Sequence, residues 1–243
     1  MFTTNRIQMM QSILSKAVLE ESHTASEYLQ WVKNLVAQVK AEHDGIRRIR
    51  LRKGLANQLM NEALPIGLWA FKYFGGSEQV SIYLIIGNQA FDAIVSDGRS
   101  LSSSVRYVEV TIAYEGEDDF LRMCELHEKG DVSGLGSVTR IGTIKTGRTI
   151  NVVKEMVSQA EILRRERDRV GQAMKRKVGK LYPPNTVLVI GFDDTMAFDR
   201  QDNIKNLETT ISEHLPILKH FHSIAIVGLQ LGLFICRTTD GVT

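Results

Sequence analysis

The chain has 243 residues, of which 43% are hydrophobic and 24% charged, and its 30 Lys and Arg residues nearly balance 28 Asp and Glu residues. This is the composition of a globular protein with a sizeable core, and a net charge of +2 excludes a polycation that coats nucleic acid over its whole surface. No run approaches the roughly 20 apolar residues of a membrane span, and residues 1–12 lack the pattern of a secretory signal. Because Cys124 and Cys236 are too few for a disulfide framework, the sequence predicts a cytoplasmic protein.

Residues 1–45 are predicted to form an N-terminal helical extension. Apolar residues recur at helical spacing from Ile7 to Val18 and again from Leu29 to Val39. His23 and Thr24 fit a break between the two helices, and a glycine at position 45 offers the left-handed backbone that ends the second. The sequence leaves open whether this pair packs on the rest of the chain or on another subunit, so a homo-oligomer formed through these helices is one expectation.

Residues 46–243 are predicted to form an α/β domain with a central mixed sheet and flanking helices. After a basic run, which favours an edge strand or the start of an amphipathic helix, a helix is predicted over 55–74, where Pro65 kinks or divides it. Three strands at short spacing then predict an antiparallel meander. These strands are predicted over 80–86, 90–95 and 105–114.

The second half of this domain is predicted to alternate helices and strands and to end with two C-terminal strands. Its predicted elements are an acidic helix over 115–129, a Gly-rich loop over 130–147, a long basic helix over 151–180, a buried strand over 186–192, a helix over 203–219, and strands over 224–228 and 232–236.

Three acidic residues lie where packing alone would not place them. Glu62 falls in the apolar stripe of the predicted 55–74 helix and should point toward the sheet. That stripe consists of Leu55, Leu59, Glu62 and Ile66. Asp92 lies in the second predicted strand, and Glu109 lies in the third, with Thr111 on the same side of the sheet.

Carboxylates within apolar strands cost free energy unless they are paired or bound to a metal ion. Oxygen ligands of this kind are the ones that Mg²⁺ and Mn²⁺ prefer, so the three acids are candidate metal ligands. The competing interpretation is structural, because an Asp at a strand end or a Glu on a water-facing strand needs no function. A further alternative is an enzyme on another α/β fold in which the three acids lie apart.

The order of these acids along the chain is distinctive. A helix carries Glu62, a hairpin carries Phe91-Asp92, the next strand carries Glu109-Val110-Thr111, and a helix and a strand follow. This order resembles the PD-(D/E)XK, or restriction-endonuclease-like, nuclease superfamily over about residues 54–192. The resemblance implies an αβββαβ core, a Mg²⁺ or Mn²⁺ site formed by Asp92, Glu109 and Glu62, and cleavage of phosphodiester bonds in DNA.

The sequence departs from the motif of that superfamily at two positions. Phe91 replaces the proline before the aspartate, and Thr111 stands where the catalytic lysine belongs. The resemblance then implies that a basic residue of the following helix replaces the lysine, and Lys177 is the first candidate, ahead of Lys180 and Arg167. The alternative is a catalytically inactive nuclease-fold module that binds DNA or protein. The predicted catalytic set is Glu62, Asp92, Glu109, Thr111 and Lys177.

Two basic segments are candidate contacts for DNA, because phosphate contacts supply most of the sequence-independent affinity. The candidates are Arg47, Arg48, Arg50, Arg52, Arg164, Arg167, Lys175 and Lys180. The competing interpretation is a solvated helix face with intrahelical ion pairs such as Arg165–Asp168. Asp193-Asp194, after the buried strand, is a secondary candidate ligand site whose alternative is a turn.

Overall fold

The protein is an α/β structure with a seven-stranded mixed sheet flanked by helices, as the sequence predicts. The computed structural model describes residues 13–99, 105–132, 136–143, 147–196 and 199–239. The first part of the predicted N-terminal helix, residues 1–12, lies outside the described residues. No helix in the described ranges is both long and apolar enough to cross a membrane.

The first half of the chain contains mostly helices and then the predicted meander. Its elements are α1 (Lys16–Leu19), β1 (His23–Thr24), α2 (Tyr28–Ala41), α3 (Gly45–Arg50), α4 (Ala56–Gln58), a π-helical segment (Leu59–Ala63), α5 (Leu64–Tyr73), β2 (Val80–Leu84), β3 (Ala93–Asp97) and β4 (Tyr107–Ala113). The predicted break at 23–24 is therefore a short strand, and it pairs with β2. The basic run forms a helix rather than a strand, and the predicted 55–74 helix changes its hydrogen-bond pattern just before Pro65.

The second half of the chain continues with α6 (Glu117–Lys129), β5 (Val138–Thr143), β6 (Gly147–Val152), α7 (Gln159–Lys175), β7 (Thr186–Phe192), α8 (Arg200–His214), a 3₁₀ turn (Leu215–Ile217), β8 (Ser223–Gly228) and β9 (Phe234–Thr238). Two predictions are wrong here. The predicted Gly-rich loop contains β5, and the predicted 151–180 helix is too long at both ends. It ends at Lys175, so Lys177 and Lys180 lie beyond it, and it begins eight residues late, because Asn151 and Val152 pair with β5 in a hairpin. β-Branched side chains such as Val152 favour this pleated arrangement over a helix.

The strand order of the large sheet is β1-β2-β3-β4-β7-β8-β9. The meander β2-β3-β4 is antiparallel as predicted, whereas β4, β7 and β8 are mutually parallel. In this register Glu109 of β4 lies opposite Leu188 of β7. The three parallel strands occupy the centre of the sheet, so helices cover both of their faces and their apolar side chains are buried.

The sheet separates two apolar layers. Val108 and Val110 of β4 pack in the layer that contains α2 and α5, and Leu188 and Ile190 of β7 pack in the layer that contains α7 and α8. The buried face of α2 belongs to the first layer, so the described part of residues 1–45 shares the core of the domain. A homo-oligomer stays a prediction, and it would have to use another surface of these helices.

Candidate functional site

Glu109 and Thr111 lie on the face of β4 that α7 covers, because side chains alternate along a strand and Val108 and Val110 point to the opposite layer. Only 7% of Glu109 and 8% of Thr111 is exposed. Hydrogen bonds of the neighbouring strands β3 and β7 fix the backbone on both sides of β4. The strand therefore holds a carboxylate and a hydroxyl on one side, in a nearly water-free setting.

Lys177 reaches this strand from the turn after α7. Its Nζ lies 2.6 Å from Oε1 of Glu109, and both side chains are largely buried. The backbone N–H of Lys177 donates to the carbonyl of Met174. This bond forms a tight turn directly after the last turn of α7. The structure thus brings together Glu109 and the lysine that the sequence analysis favoured as replacement for the motif lysine.

Asp92 lies one residue before β3, rather than inside the strand as predicted, and it is bound to the backbone of β4. Its N–H donates to the carbonyl of Val108 over 2.7 Å, and its Oδ2 accepts the N–H of Val110 over 2.7 Å. Burial, followed by the charge of Glu109, raises the pKa of Asp92 to about 6, although the bond from Val110 and the charge of Lys177 act against the rise.

Glu62 occupies the π-helical segment, where Leu64 donates its N–H to the carbonyl of Leu59, five residues back. Burial raises the pKa of Glu62 to about 7, and the charges of Asp92 and Glu109 add to the rise. Since each of these acids disfavours ionisation of another, Glu62 and Asp92 lie within electrostatic range of Glu109.

A divalent cation suits this donor set in chemistry. The raised pKa values of Glu62 and Asp92 mean that a nearby positive charge would stabilise their ionised forms, and hard oxygen donors are what Mg²⁺ and Mn²⁺ require. Within the described part of the chain, however, no three His, Cys, Asp or Glu side chains are grouped closely enough to hold a metal ion as they stand. Binding of a cation would therefore require Glu109 to exchange its contact with Lys177 for the ion.

Two residues at this site escaped the sequence analysis. Arg176 donates to the carbonyl of Ile112 over 2.9 Å and lies 3.4 Å from Oγ1 of Thr111, so a guanidinium stands beside the position of the missing lysine. Burial and then the charges of Glu109 and Asp92 raise the pKa of Tyr182. The buried Tyr182 hydroxyl makes no hydrogen bond of good geometry among the described residues.

A signal for both residues was present in the sequence. Arg176 precedes Lys177 directly in the basic run, and Tyr182 comes just before Pro183 and Pro184. Once Lys177 is assigned to the site, its neighbours along a tight turn are the next residues to consider.

Most of the basic side chains of α7 have acidic partners. Arg164 pairs with Glu161 and Asp168, each over 2.7 Å, and Arg167 pairs with Glu213 of α8. These contacts agree with the solvated-face alternative, although Asp168 pairs with Arg164 rather than with Arg165. Lys175 and Lys180 have exposed side chains near the Glu109 end of α7.

The basic residues of α3 and of the turn after it differ in how they are paired. Arg47 lies 3.8 Å from Asp44 at the surface, and Arg48 pairs with Glu42. Arg50 donates instead to the carbonyl of Leu126 over 3.3 Å. Arg52 has a left-handed backbone with φ of 51°. Its side chain lines a cavity on the α6 side of the sheet.

Asp194 has a structural role in the turn between β8 and β9. Its exposed fraction is 4%, and its two oxygens accept backbone N–H groups from three residues of that turn. These residues are Gln230 at 2.9 Å, Leu231 at 3.0 Å and Leu233 at 3.1 Å. The turn alternative is therefore the correct one for Asp194, because its carboxylate is already saturated with backbone donors.

Comparisons of the chain with protein-family models, with curated proteins and with solved structures return no match. The resemblance to the PD-(D/E)XK superfamily therefore stays a prediction. Because a fold alone does not determine an activity, the function has to be inferred from the chemistry of the side chains around β4.

Proposed function

We propose that the protein is a divalent-metal-dependent, endonuclease-like enzyme that hydrolyses phosphodiester bonds in DNA. The observation that carries this proposal is the approach of Lys177 to Glu109, with 2.6 Å between Nζ and Oε1. Lys177 and two further acids with raised pKa values, Asp92 and Glu62, lie close to Glu109 on the buried strand β4. Clusters of perturbed titratable groups of this kind are enriched at catalytic sites.

Each residue of the cluster has a distinct role in this proposal. Asp92, Glu109 and Glu62 would hold Mg²⁺ or Mn²⁺, which would polarise a phosphate oxygen and make water more acidic. Next to the ion, Glu62 would also position the attacking water. Once displaced from Glu109, the ammonium of Lys177 stabilises negative charge on the phosphate, and the Thr111 hydroxyl, beside Arg176, replaces the motif lysine only in position.

The exposed cations near the carboxyl end of α7, Lys175 and Lys180, support a DNA backbone path past the site, because phosphate contacts need accessible positive charge. The pairing of Arg164 and Arg167 with acids makes these two residues weaker candidates. A cytoplasmic location is part of this proposal, and the free thiols of Cys124 and Cys236 support it.

A second candidate function is a non-catalytic nuclease-fold module that binds DNA or protein. Two observations favour it. Lys177 already neutralises Glu109, and the described residues contain no ready-made group of three metal ligands. In such a module the Glu109–Lys177 pair stabilises the sheet and needs no ion.

The two candidates are separated by measuring Mn²⁺ binding by calorimetry and nicking of supercoiled DNA on the same preparations. The wild type is compared with Asp92→Asn and Lys177→Met, and Asp168→Asn on the exposed side of α7 is the matched control. For a nuclease, Asp92→Asn loses both metal binding and nicking, Lys177→Met keeps metal binding but loses nicking, and the control changes neither. DNA binding by a folded wild type that neither binds Mn²⁺ nor nicks DNA would establish the non-catalytic module instead.

A further inference from the structure

A cavity of about 920 Å³ opens at the carboxyl ends of β4 and β7. Its floor includes Ile112 and Phe192, and α3, α6 and α7 form its walls. Glu109, Asp92 and Glu62 do not line it, so it is separate from the acid cluster. Carboxyl ends of parallel strands are where open α/β sheets bind ligands, and the volume suits a small molecule.

One end of the cavity carries two arginines without acidic partners. Among the described residues, neither Arg50 nor Arg52 contacts a carboxylate, and the guanidinium of Arg50 donates to the carbonyl of Leu126. Burial lowers the pKa of Arg52, although its side chain remains accessible to water. This combination is expected for a cation inside a concave, open pocket. Other arginines of the cavity are neutralised, since Arg122 and Arg169 both pair with Glu115.

Glu166 gives the cavity a second polar feature. It lies on the buried face of α7 and is only 1% exposed, yet its Oε1 has no hydrogen-bond partner among the described residues. Its Oε2 receives a long bond of 3.5 Å from the Asn203 amide, whose own oxygen also lacks a partner. Burial raises the pKa of Glu166 to about 7. Because a buried, unpartnered carboxyl is unfavourable, a ligand that donates a hydrogen bond to it would bind with a gain in free energy.

The surface between these polar ends is apolar. Besides Ile112 and Phe192, it includes Phe120, Ile162 and Val170. Ile162 and Val170 flank Glu166 on the same face of α7, one helical turn before and after it. The cavity therefore offers two cations that contact no carboxylate in the described part of the chain, an apolar wall and a buried hydrogen-bond acceptor.

We propose that this cavity binds a mononucleotide whose base carries an amino group, with the phosphate on Arg50 and Arg52, the base against the apolar wall, and the amino group donating to Glu166. A nucleotide combines the three features in one molecule: an anion, a flat ring system and an edge with N–H donors. The proposal goes beyond DNA cleavage, because it requires neither the acid cluster nor a metal ion.

Calorimetric titration of the full chain tests the proposal with GMP, AMP, CMP, UMP and inorganic phosphate as probes. UMP lacks an amino group on its base, so we expect the tightest amino-bearing nucleotide to bind at least about tenfold better than UMP or phosphate. Arg52→Ala should weaken that binding about tenfold or more. Arg47→Ala, on α3 but outside the cavity, is the matched control and should leave nucleotide binding unchanged.

Glu166→Gln tests the role of the buried carboxyl with little change of shape. This variant should lose the preference for amino-bearing bases, because the new amide presents its own N–H donors to the base. Asp92→Asn should bind the nucleotide like the wild type. Equal affinity for UMP or phosphate, no effect of Arg52→Ala, or loss of binding in Asp92→Asn would each overturn the proposal. The first outcome would indicate a plain anion site, and the last would place the nucleotide on the acid cluster.

Discussion

Substitution of Glu62 by glutamine should stabilise the protein above pH 7 and leave its stability near pH 4.5 almost unchanged. Glu62 is partly buried in the π-helical segment, and burial together with the charges of Asp92 and Glu109 raises its pKa from 4.5 to about 7. Gln has nearly the same shape and carries no charge, so the variant removes the cost of ionising this position.

The sign follows from proton linkage. Between pH 4.5 and about 7 the folded protein holds the Glu62 proton more tightly than the unfolded chain does, so the free energy of unfolding falls as pH rises through this window. With about 1.4 kcal/mol for each pKa unit, the full difference is about 3 kcal/mol. Solvent screening at a partly exposed side chain reduces this figure, and we expect a gain of about 1–2 kcal/mol for Glu62→Gln at pH 8.

Urea unfolding at pH 5 and pH 8, in the absence of divalent cations, measures this gain. Glu78→Gln is the matched control, because Glu78 is exposed and its replacement should change stability by less than about 0.5 kcal/mol at either pH. Equal stability of wild type and Glu62→Gln at pH 8 would refute the inference that Glu62 is electrostatically disfavoured in its ionised form. If Glu62 is disfavoured in this way, Mn²⁺ added at pH 8 should raise the free energy of unfolding of the wild type more than that of Glu62→Gln. The cation offsets the repulsion of Glu62 by Asp92 and Glu109.

Three further substitutions probe the structure around the site by urea unfolding. Asp194→Ala should lower the free energy of unfolding by about 2–4 kcal/mol, because three backbone N–H groups, of which that of Leu233 is buried, lose a charged acceptor; a loss below about 1 kcal/mol would contradict its role in the β8–β9 turn. Lys177→Met should cost about 3 kcal/mol, because it leaves the buried carboxylate of Glu109 without its cation; a loss below about 1 kcal/mol would contradict the ion pair. Ser158→Ala should cost about 1 kcal/mol, because the hydroxyl of Ser158 accepts the N–H of Glu161 at the start of α7; no loss would contradict this cap.

The parts of the fold that the sequence predicted are those where local pattern and tertiary setting agree. β7 was predicted over 186–192 and has those bounds, because every residue in it is apolar or β-branched and both faces are buried. The predicted start of α7 at residue 151 is wrong, because Asn151 and Val152 pair with β5 in a hairpin and residues 153–158 then form an irregular connection to the helix. Such non-local pairing is not visible in a single stretch of sequence.

The candidate site shows the same division. The resemblance predicts Lys177 near the acids but inside the 151–180 helix, whereas the structure places it after the end of α7, in contact with Glu109. Glu166 is not among the predicted site residues, although Ile162 and Val170 at four-residue spacing place it on the buried face of α7. A charged residue in an apolar stripe was given weight at Glu62, and the same criterion would have found Glu166.

In the π-helical segment, the number of residues matters more for the fold than their identities. Each residue turns a helix by about 100°. The extra residue in Leu59–Ala63 therefore sets the angle by which α3 and α4 are rotated around the helix axis relative to the side of α5 that faces the sheet. Deleting Met60 would allow regular α-helical bonding, but it would swing the cationic helix α3 and its arginines by about a quarter turn around that axis. Substitutions that preserve apolar character should therefore be tolerated in this segment far better than insertions or deletions of a single residue, which is the reverse of what holds in a surface loop.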